Sequence, residues 1–421
     1  MAATEKRIRP IDPEKDRKAI GRIWREVGWI DDKEQEKVLD HFLKDSWGLV
    51  AEIHGEPEVS VTGHEGRTQY LDRELPMWGV TSVTVSRVAR KQGLAGTLTA
   101  QLLAEGARRG CTIAMLGMFE QGFYDRLGFG TGSYERVLAF DPASLNVTGA
   151  PRPPHRIEQK HYKALHRGVL AAPRHHGSCW FEQPNTLRAE MAWIKNSFGL
   201  GYYSEDKSTI THHIWGEAKD EHGPYEIYWY SFRTDEELLE LLRVIKSLGD
   251  QVHGIEMKEP PGIMLQDFIN QPFKQRRQTR KGAFESRHSS AAYWQLRILD
   301  LESAVAACHG EIEIDVTLDL TDPVTAFLGD DVDWRGIGGV WSVHLGAESE
   351  AKPGAPQGAT GTAAGARPVV ETDVGSFSRL WFGAASARSL AMQGRLRADQ
   401  ETIGALDRYF QLPEPHPWWD F

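Results

Sequence analysis

Residues 78–130 read WGVTSVTVSRVARKQGLAGTLTAQLLAEGARRGCTIAMLGMFEQGFYDRLGFG, and this stretch decides the fold. Val80 to Val85 form a Val/Thr-rich, β-branched alternation that predicts a strand. Arg90-x-x-Gly93-x-Ala95 then sets small residues at the mouth of a helix. Its Leu94, Leu98 and Leu102 recur at i+4 spacing as one buried stripe. The helix is predicted to stop near Gly110, a natural C′ residue behind two arginines that suit a helix C-terminus. Cys111 to Met118 is short and apolar, as a buried strand should be. Phe123-Tyr124-x-x-x-Gly128-Phe129 reads as a short helix and a glycine turn leading into another strand.

The chemistry of such a turn is anion binding. A strand that ends in Gly93-x-Ala95 ahead of a helix leaves free N–H groups at a positive dipole end, and small residues let a pyrophosphate approach the main chain. A dinucleotide fingerprint would need a third glycine and a ribose-binding acid downstream, and neither is correctly placed. The order of pieces resembles the acetyl-CoA core of the GNAT acyltransferases, whose signature [QR]-x-x-G-x-[GA] matches Arg90, Gly93 and Ala95.

At 421 residues the chain is long enough for two or three domains with their own cores. A net charge of −10 argues against a nucleic-acid binder, which needs a basic face. It suits a cationic acceptor such as a polyamine or aminoglycoside. Cys111, Cys179 and Cys308 lie far apart without metal-ligand spacing, which points to a reducing cytoplasm. The N-terminal MAATEKRIRPIDPEKDRK has no apolar core, and no apolar run reaches roughly 18 residues. A cytoplasmic location with no membrane span is therefore expected.

Taken in order, Arg7 to Ile11 predicts a first strand, and Asp12 with Pro13 opens a helix carrying Ile20, Ile23, Trp24 and Val27. The GNAT resemblance implies that this helix and the loop after it flank the acceptor groove, which makes Trp24, Trp29 and Asp31/Asp32 candidate acceptor contacts, set against the commoner reading of core tryptophans and a solvated acid pair. Leu49 to Ile53 and a hairpin over Thr68 to Val85 follow, and the first unit closes through Gly130 to Phe140. Pro142 to Pro154 is a Pro/Gly/Ala linker. Beyond it, strands over Tyr225 to Phe232 and His253 to Met257, with a helix over Asp235 to Leu248, suggest a second α/β unit without a comparable glycine turn. The pairs His175/His176 and His212/His213 would point to opposite faces of a strand, with no acid or cysteine at ligand spacing, so no metal is expected. The basic run Lys274 to Lys281 reads as a solvated linker, with a contact to the CoA 3′-phosphate as the alternative.

A third unit runs from Tyr293 to Phe421. It has a strand at Trp294 to Ile298, a helix from Leu301, and an alternation over Glu311 to Leu318 that indicates a half-buried antiparallel sheet. Gly346 to Arg367 is Gly/Ala/Pro-rich and reads as a flexible loop between strands. Val369 to Val374 follows it, then a helix over Ser376 to Phe382, the segment Ala385 to Leu390 and finally Ala405 to Phe410. The motifs Leu296-Arg297-Ile298-Leu299-Asp300, Phe377-Ser378-Arg379-Leu380-Trp381-Phe382-Gly383 and Leu406-x-x-Tyr409-Phe410, together with Phe123 to Gly130, resemble the enhanced intracellular survival (Eis) acetyltransferases. The resemblance implies an α/β (α+β) chain of two tandem GNAT-like acyltransferase domains followed by a sterol-carrier-protein-like α+β domain. Residues 1–148 would hold the acetyl-CoA site, residues 149–290 a degenerate GNAT-like domain, and residues 291–421 a C-terminal domain ending in the active groove. Homohexamers and an amine acceptor, small molecule or peptide, are implied as well.

The same resemblance assigns site residues. The backbone of Val83, Thr84 and Val85 would pair with the pantetheine arm. Lys91, Gln92, Gly93, Leu94, Ala95 and Gly96 would face the pyrophosphate, and Phe119 and Glu120 would lie at the splayed end of the next strand. A serine is common where Phe119 stands, which suggests a more apolar pocket here. Arg87 replaces a common proline. Tyr124 would protonate the departing thiolate, and the main-chain carboxylate of Phe421 would act as general base, with Trp418/Trp419 anchoring the tail.

Elementary energetics constrain these roles. An ammonium of pKa about 10 facing a carboxylate of about 3.5 leaves a gap of roughly 6 units, about 8 kcal/mol. Burial must close that gap, or a water must relay the proton. No cysteine is placed as an acyl carrier, so direct attack in a ternary complex is expected, with a main-chain N–H near Val83 to Val85 holding the carbonyl oxygen. N-acetyl transfer to an aminoglycoside, polyamine, lysine or natural-product amine is the leading expectation. Two alternatives are transfer of a longer acyl group or to a hydroxyl, and a non-catalytic CoA- or lipid-binding protein.

Overall fold

The computed structural model describes residues 6–31, 33–118, 120–272, 280–354 and 367–418. The first sheet is built on a long hairpin, Glu56–Tyr70 against Arg73–Val85, closed at Leu71 and Asp72 with Tyr70 opposite Arg73. Its near arm starts earlier than the sequence suggests, because Val59 and Val61 are wholly buried and pair with Ala51 and Leu49 of the preceding strand. Strand order is Lys6–Pro10, Trp47–Ile53, Glu56–Tyr70, Arg73–Val85, Ile113–Gly117, Trp294–Ile298, Gly130–Thr131, with Cys179–Phe181 added to the hairpin's first arm. The helix Leu94–Arg108 lies on this sheet through Leu94, Leu98 and Leu102, all buried. Gly106 allows the close approach, since a Cβ there would stand 2.7 Å from the Trp78 indole. The helix ends at Arg109, and Gly110 follows with φ +80 as C′.

Two strands fall outside the units to which their sequence neighbours assign them. Glu135–Phe140, read as closing the first unit, pairs in the second sheet between Arg287–Ala291 and Ile255–Lys258. Trp294–Ile298, read as opening the third unit, lies in the first sheet between Ile113–Gly117 and Gly130–Thr131. The reason is burial on both faces. Trp294, Leu296 and Ile298 join an apolar core, while Gln295 and Arg297 on the opposite face are also fully buried and find polar partners. Only an interior strand position serves both faces.

The second sheet runs Arg287–Ala291, Glu135–Phe140, Ile255–Lys258, Tyr225–Ser231, Ile210–Ala218, Ser197–Tyr203, His155–Ile157, with the helix Asp235–Ser247 packed on it. The third has five strands, in the order Glu350–Pro353, Gly339–Leu345, Ile314–Thr321, Val369–Asp373, Leu396–Arg397. Ile314–Thr321 alternates buried and outward residues as a one-sided sheet should. Within the stretch read as a loop, Glu350–Pro353 instead pairs with Trp341–His344 as an edge strand, and 355–366 lie outside the described residues. The C-terminal helices share one core with the far face of the first sheet: Trp381 stacks on Tyr70 at 4.6 Å, and Phe382 lies 6.2 Å from Trp294.

A buried ion pair joins these parts. Arg297 Nη2 meets Asp322 Oδ2 at 2.7 Å, both side chains being out of solvent. Arg297 also donates to the Leu127 carbonyl, and Asp322 accepts from the N–H groups of Val324 (3.1 Å) and Ile337 (2.9 Å). Removing one member leaves the other charge uncompensated in the interior. Arg297→Met should therefore cost about 3–5 kcal/mol, seen as a lower urea midpoint, and an unchanged midpoint would contradict the account.

Buried histidines set a pH dependence. Burial lowers His64 and His176 to about 4 and His213 to about 3. The unfolded chain, with histidines near 6.5, takes up protons that the fold refuses, so stability is complete above pH 6.5 and declines as pH falls toward 4. At pH 5 the loss should be about 2 kcal/mol for each of these histidines. Urea midpoints at pH 7.5 and 5 test this, and His213→Leu should flatten the difference.

Candidate active site

The parallel pair at the centre of the first sheet comes apart. Met77, Trp78 and Gly79 pair with Ile113, Ala114 and Met115, and there the ladder ends. From Val80 to Val85 the first strand continues, paired only on its other edge with the hairpin arm. Ile113–Gly117 pairs along its whole length with Trp294–Ile298 on its opposite edge. One extra residue on the longer strand, at Ser82 with φ +55, makes a bulge between the pairs Thr62–Thr81 and Ser60–Thr84. Val83 and Val85 are half-buried against the core, and Thr84 is buried with its hydroxyl 2.8 Å from that of Ser60. Thr84 can thus serve a ligand only through its main chain. The divergence leaves a wedge along whose one wall the edge from Val80 to Val85 has no strand partner among the described residues, able to receive an extended chain carrying amides.

The glycine turn opens next to this wedge. Lys91 (φ +59) and Gly93 (φ +78, ψ −10) both adopt the left-handed conformation, and Gly93 occupies the N-cap of Leu94–Arg108 without a capping side chain. No acidic residue stands in the helix's first turn, and among the described residues the N–H groups of Leu94, Ala95 and Gly96 have no acceptor. Lys91, Gln92 and Gly93 are exposed, and the Gln92 amide folds back onto the Val88 carbonyl at 2.9 Å. Uncapped N–H groups next to the exposed run Arg90 to Gly93 suit a phosphate. The Phe327 ring closes the turn from the C-terminal side, 2.8 Å from where a Cβ on Gly96 would stand.

Tyr124 begins a single 3-10 turn, Tyr124–Leu127, ended by Gly128 at φ +81. Its ring packs against Phe123 at 4.9 Å and Phe129 at 6.0 Å, and burial pushes its phenol up to about 12. Its hydroxyl has no hydrogen-bond partner among the described residues. Two buried side chains from Trp294–Ile298 fix the turn: Gln295 donates to Asp125 at 2.7 Å, and Arg297 to the Leu127 carbonyl. The sequence reading missed both as site residues. Their signal was a glutamine and an arginine inside a run that is otherwise apolar. Glu120 is exposed past the strand end, and Phe119 lies outside the described residues.

The C-terminal tail returns to the junction of the first two units. Ser133 donates to the Pro415 carbonyl, the N–H of His416 to the His176 carbonyl at 3.1 Å, and the N–H of Cys179 to the Pro417 carbonyl at 2.8 Å. Trp418 meets Tyr230 edge-on at 4.7 Å. Trp419 and Phe421 lie outside the described residues, as do Asp32 and most of Lys274 to Lys281.

Other candidates resolve into structure. Trp24 is fully buried among Trp29, Phe42 and Trp193, and Asp31 is exposed with Lys195 Nζ at 3.0 Å. His212 faces Glu240 at 3.0 Å, and His176 accepts from the Leu71 N–H at 3.1 Å. Among the described residues no group of three or more His, Cys, Asp or Glu is placed to hold a metal ion, and no helix is long and apolar enough to cross a membrane.

Comparison with known proteins agrees with this geometry. Residues 7–132 match the acetyltransferase (GNAT) domain, and residues 301–419 the sterol carrier protein domain. A Streptomyces avermitilis protein described as an uncharacterized N-acetyltransferase is 23% identical over 369 residues, covering 82% of this chain and 80% of its own. Among solved structures, a probable N-acyltransferase from Enterococcus faecalis has a TM-score of 0.75 at 17% identity, over 99% of this chain and 100% of its own. A GCN5-related N-acetyltransferase from Kribbella flavida gives 0.74 at 17% identity, over 99% of each chain. An Eis protein of Mycobacterium abscessus gives 0.73 at 15% identity, over 99% and 100%. The fold is thus that of tandem GNAT-like units with a C-terminal sterol carrier domain. The chain is an acyltransferase whose N-terminal segment is a GNAT acetyltransferase domain.

Proposed function

We propose that the protein is an acetyl-CoA-dependent N-acetyltransferase of the Eis type, transferring acetyl to an amine by direct attack in a ternary complex. The observation that carries this reading is the wedge between Val80–Val85 and Ile113–Gly117 lying next to an uncapped helix N-terminus behind an exposed glycine turn. An acyl-CoA has the two features that fit: a diamide arm and a pyrophosphate. On this reading the main chain of Val83, Thr84 and Val85 lines the arm. Lys91 to Gly96 cradle the phosphates, and Phe119 and Glu120 border the thioester. The acceptor is a small-molecule or peptide amine. A homohexameric, cytoplasmic protein belongs to the same reading.

In the reaction the neutral amine nitrogen attacks the thioester carbonyl carbon. The C–S bond breaks, Tyr124 gives its proton to the departing sulfur, and the ammonium proton leaves to the α-carboxylate of Phe421. With its phenol near 12 and a thiol near 8.5, full transfer from Tyr124 to a free thiolate is uphill by about 5 kcal/mol. Tyr124 therefore acts while the C–S bond is breaking, and the proton that the Phe421 carboxylate takes from the nitrogen is passed on to restore the phenol and free the carboxylate.

Tyr124→Phe should lower kcat about 100-fold or more while leaving the Kd for acetyl-CoA within about threefold. Thiol release with an amine panel measures the first and calorimetry the second. Because burial raises the phenol, the wild-type rate should show no tyrosine-dependent fall below pH 11. Deleting Phe421 should slow turnover without weakening acetyl-CoA binding, and unchanged turnover would remove it from the mechanism.

A further inference from the structure

The second sheet repeats the divergence of the first. Tyr225, Glu226 and Ile227 pair in parallel with Ile255, Glu256 and Met257, and the ladder ends there. The longer strand continues to Ser231, paired only with Ile210–Ala218. The second divergence opens into a shallow cleft that is accessible from solvent. Tyr228, Trp229, Tyr230 and Phe232 along the free strand, with Leu187 and Trp418, give it a mostly aromatic and aliphatic wall.

This cleft is not a second acyl-CoA site. The helix that follows its strand, Asp235–Ser247, starts with Asp235, Glu236 and Glu237, and the Thr234 hydroxyl already accepts from the Glu237 N–H at 3.2 Å. The charge at that helix end repels a pyrophosphate, and only three residues separate the strand from the helix, too few for a turn like 86–93. What is left is an apolar slot without such a phosphate cradle, where the Tyr230 hydroxyl donates to the Lys258 carbonyl at 2.9 Å.

The slot is linked to the first wedge. Lys258, in its lining, pairs with Glu135 at 3.0 Å, and Glu135 accepts from the Tyr293 hydroxyl at 2.8 Å. The Tyr293 carbonyl accepts from the N–H of Met118 at 2.6 Å, immediately after the diverging strand Ile113–Gly117. Trp418 forms part of the wall itself. The charged lining also selects. Of its cations, Lys258 is already answered by Glu135, and Arg174 is held in place by the Val169 carbonyl at 2.9 Å and the Trp180 ring at 4.2 Å. A polycation would have to give up water for a wall that is mostly aromatic and aliphatic and that offers one lining carboxylate, Glu190.

We propose that this second cleft seats the body of the acceptor, and that the acceptor is an amine carried on an aromatic or branched apolar group. The proposal rests on the acetyltransfer reading for the amine, but the cleft as a ligand site does not. It narrows the acceptor class away from the polyamines and aminoglycosides that the net charge of −10 favours. Local wall chemistry decides over overall charge, because charges beyond about 8–10 Å are screened at physiological salt.

The test uses tryptamine and spermidine as probes, titrated calorimetrically into the full chain at saturating CoA, followed by thiol release with acetyl-CoA. Ala172 lines the cleft, half-buried and in an extended backbone (φ −70, ψ 148) just past the helix Tyr162–Ala171, so Ala172→Trp fills the slot without backbone strain. Val169→Phe fills it from the helix itself and serves if the first variant does not fold. The expected result is tryptamine binding at least tenfold tighter than spermidine, and a loss of at least tenfold in either variant with CoA affinity unchanged. Spermidine binding as tightly as tryptamine overturns the proposal, and so does tryptamine affinity indifferent to both variants. Binding that the variants abolish, with no thiol release on tryptamine, upholds the cleft and removes the acetyltransfer reading. Thiol release unaffected by both variants does the reverse.

Discussion

The structure depends on an arginine held away from water. Arg297 sits in the interior of the first sheet, and its charge is answered from another part of the chain, by Asp322 at 2.7 Å. Such a pair adds little net stability against an apolar equivalent, because desolvation offsets the attraction, but it does not tolerate separation. Its remaining hydrogen bonds therefore carry positional information. One goes to the Leu127 carbonyl, at the end of the turn that bears Tyr124. Two arrive from the N–H groups of Val324 and Ile337 in the sterol carrier region. The helical turn that Asp322 caps, Pro323–Phe327, also places Phe327 over the glycine turn. The C-terminal domain thus reaches the N-terminal site as part of its wall, through a contact in which neither side can shift alone.

The two diverging strand pairs show how one backbone geometry supports different chemistry. Both open because the longer strand outruns its parallel partner. In the first, a left-handed glycine and an acid-free helix start keep N–H groups available. In the second, a threonine cap and three acidic residues consume and oppose the same dipole. The difference between an anion site and an apolar slot lies in a few residues at a helix end, while the sheets around them are alike.

Much of the first unit was legible in sequence because its signals are local. Strand, glycine turn, leucine stripe and C′ glycine each depend on neighbours within a turn or two. Sheet membership is not local. The run Trp294 to Ile298 announces burial on both faces, yet nothing in it says which sheet will enclose it. Arg297 in its middle was quoted only as part of a resemblance, since its partner stands 25 residues away in a different unit. The divergence over Tyr225–Lys258 was hidden for the same reason: where a parallel ladder ends depends on pairing partners. Glu350–Pro353 looked like loop because an edge strand needs little apolar content. The tryptophans Trp24 and Trp29 proved to be packing residues, as their spacing on and just beyond an amphipathic helix implied.

The exchange of Glu135–Phe140 and Trp294–Ile298 between sheets bears on biosynthesis. Ile113–Gly117 and Gly130–Thr131 do not touch along their ladder edges; Trp294–Ile298 stands between them. As the chain leaves the ribosome, the sheet that bears the glycine turn is left with an open edge until residue 298 emerges. At about 5–20 residues per second that interval is roughly ten to thirty seconds, with an unpaired strand edge that invites wrong partners. The first part of the protein to be made is therefore among the last to be completed, and the turn carrying Tyr124 acquires its supports only after the second unit has been synthesised.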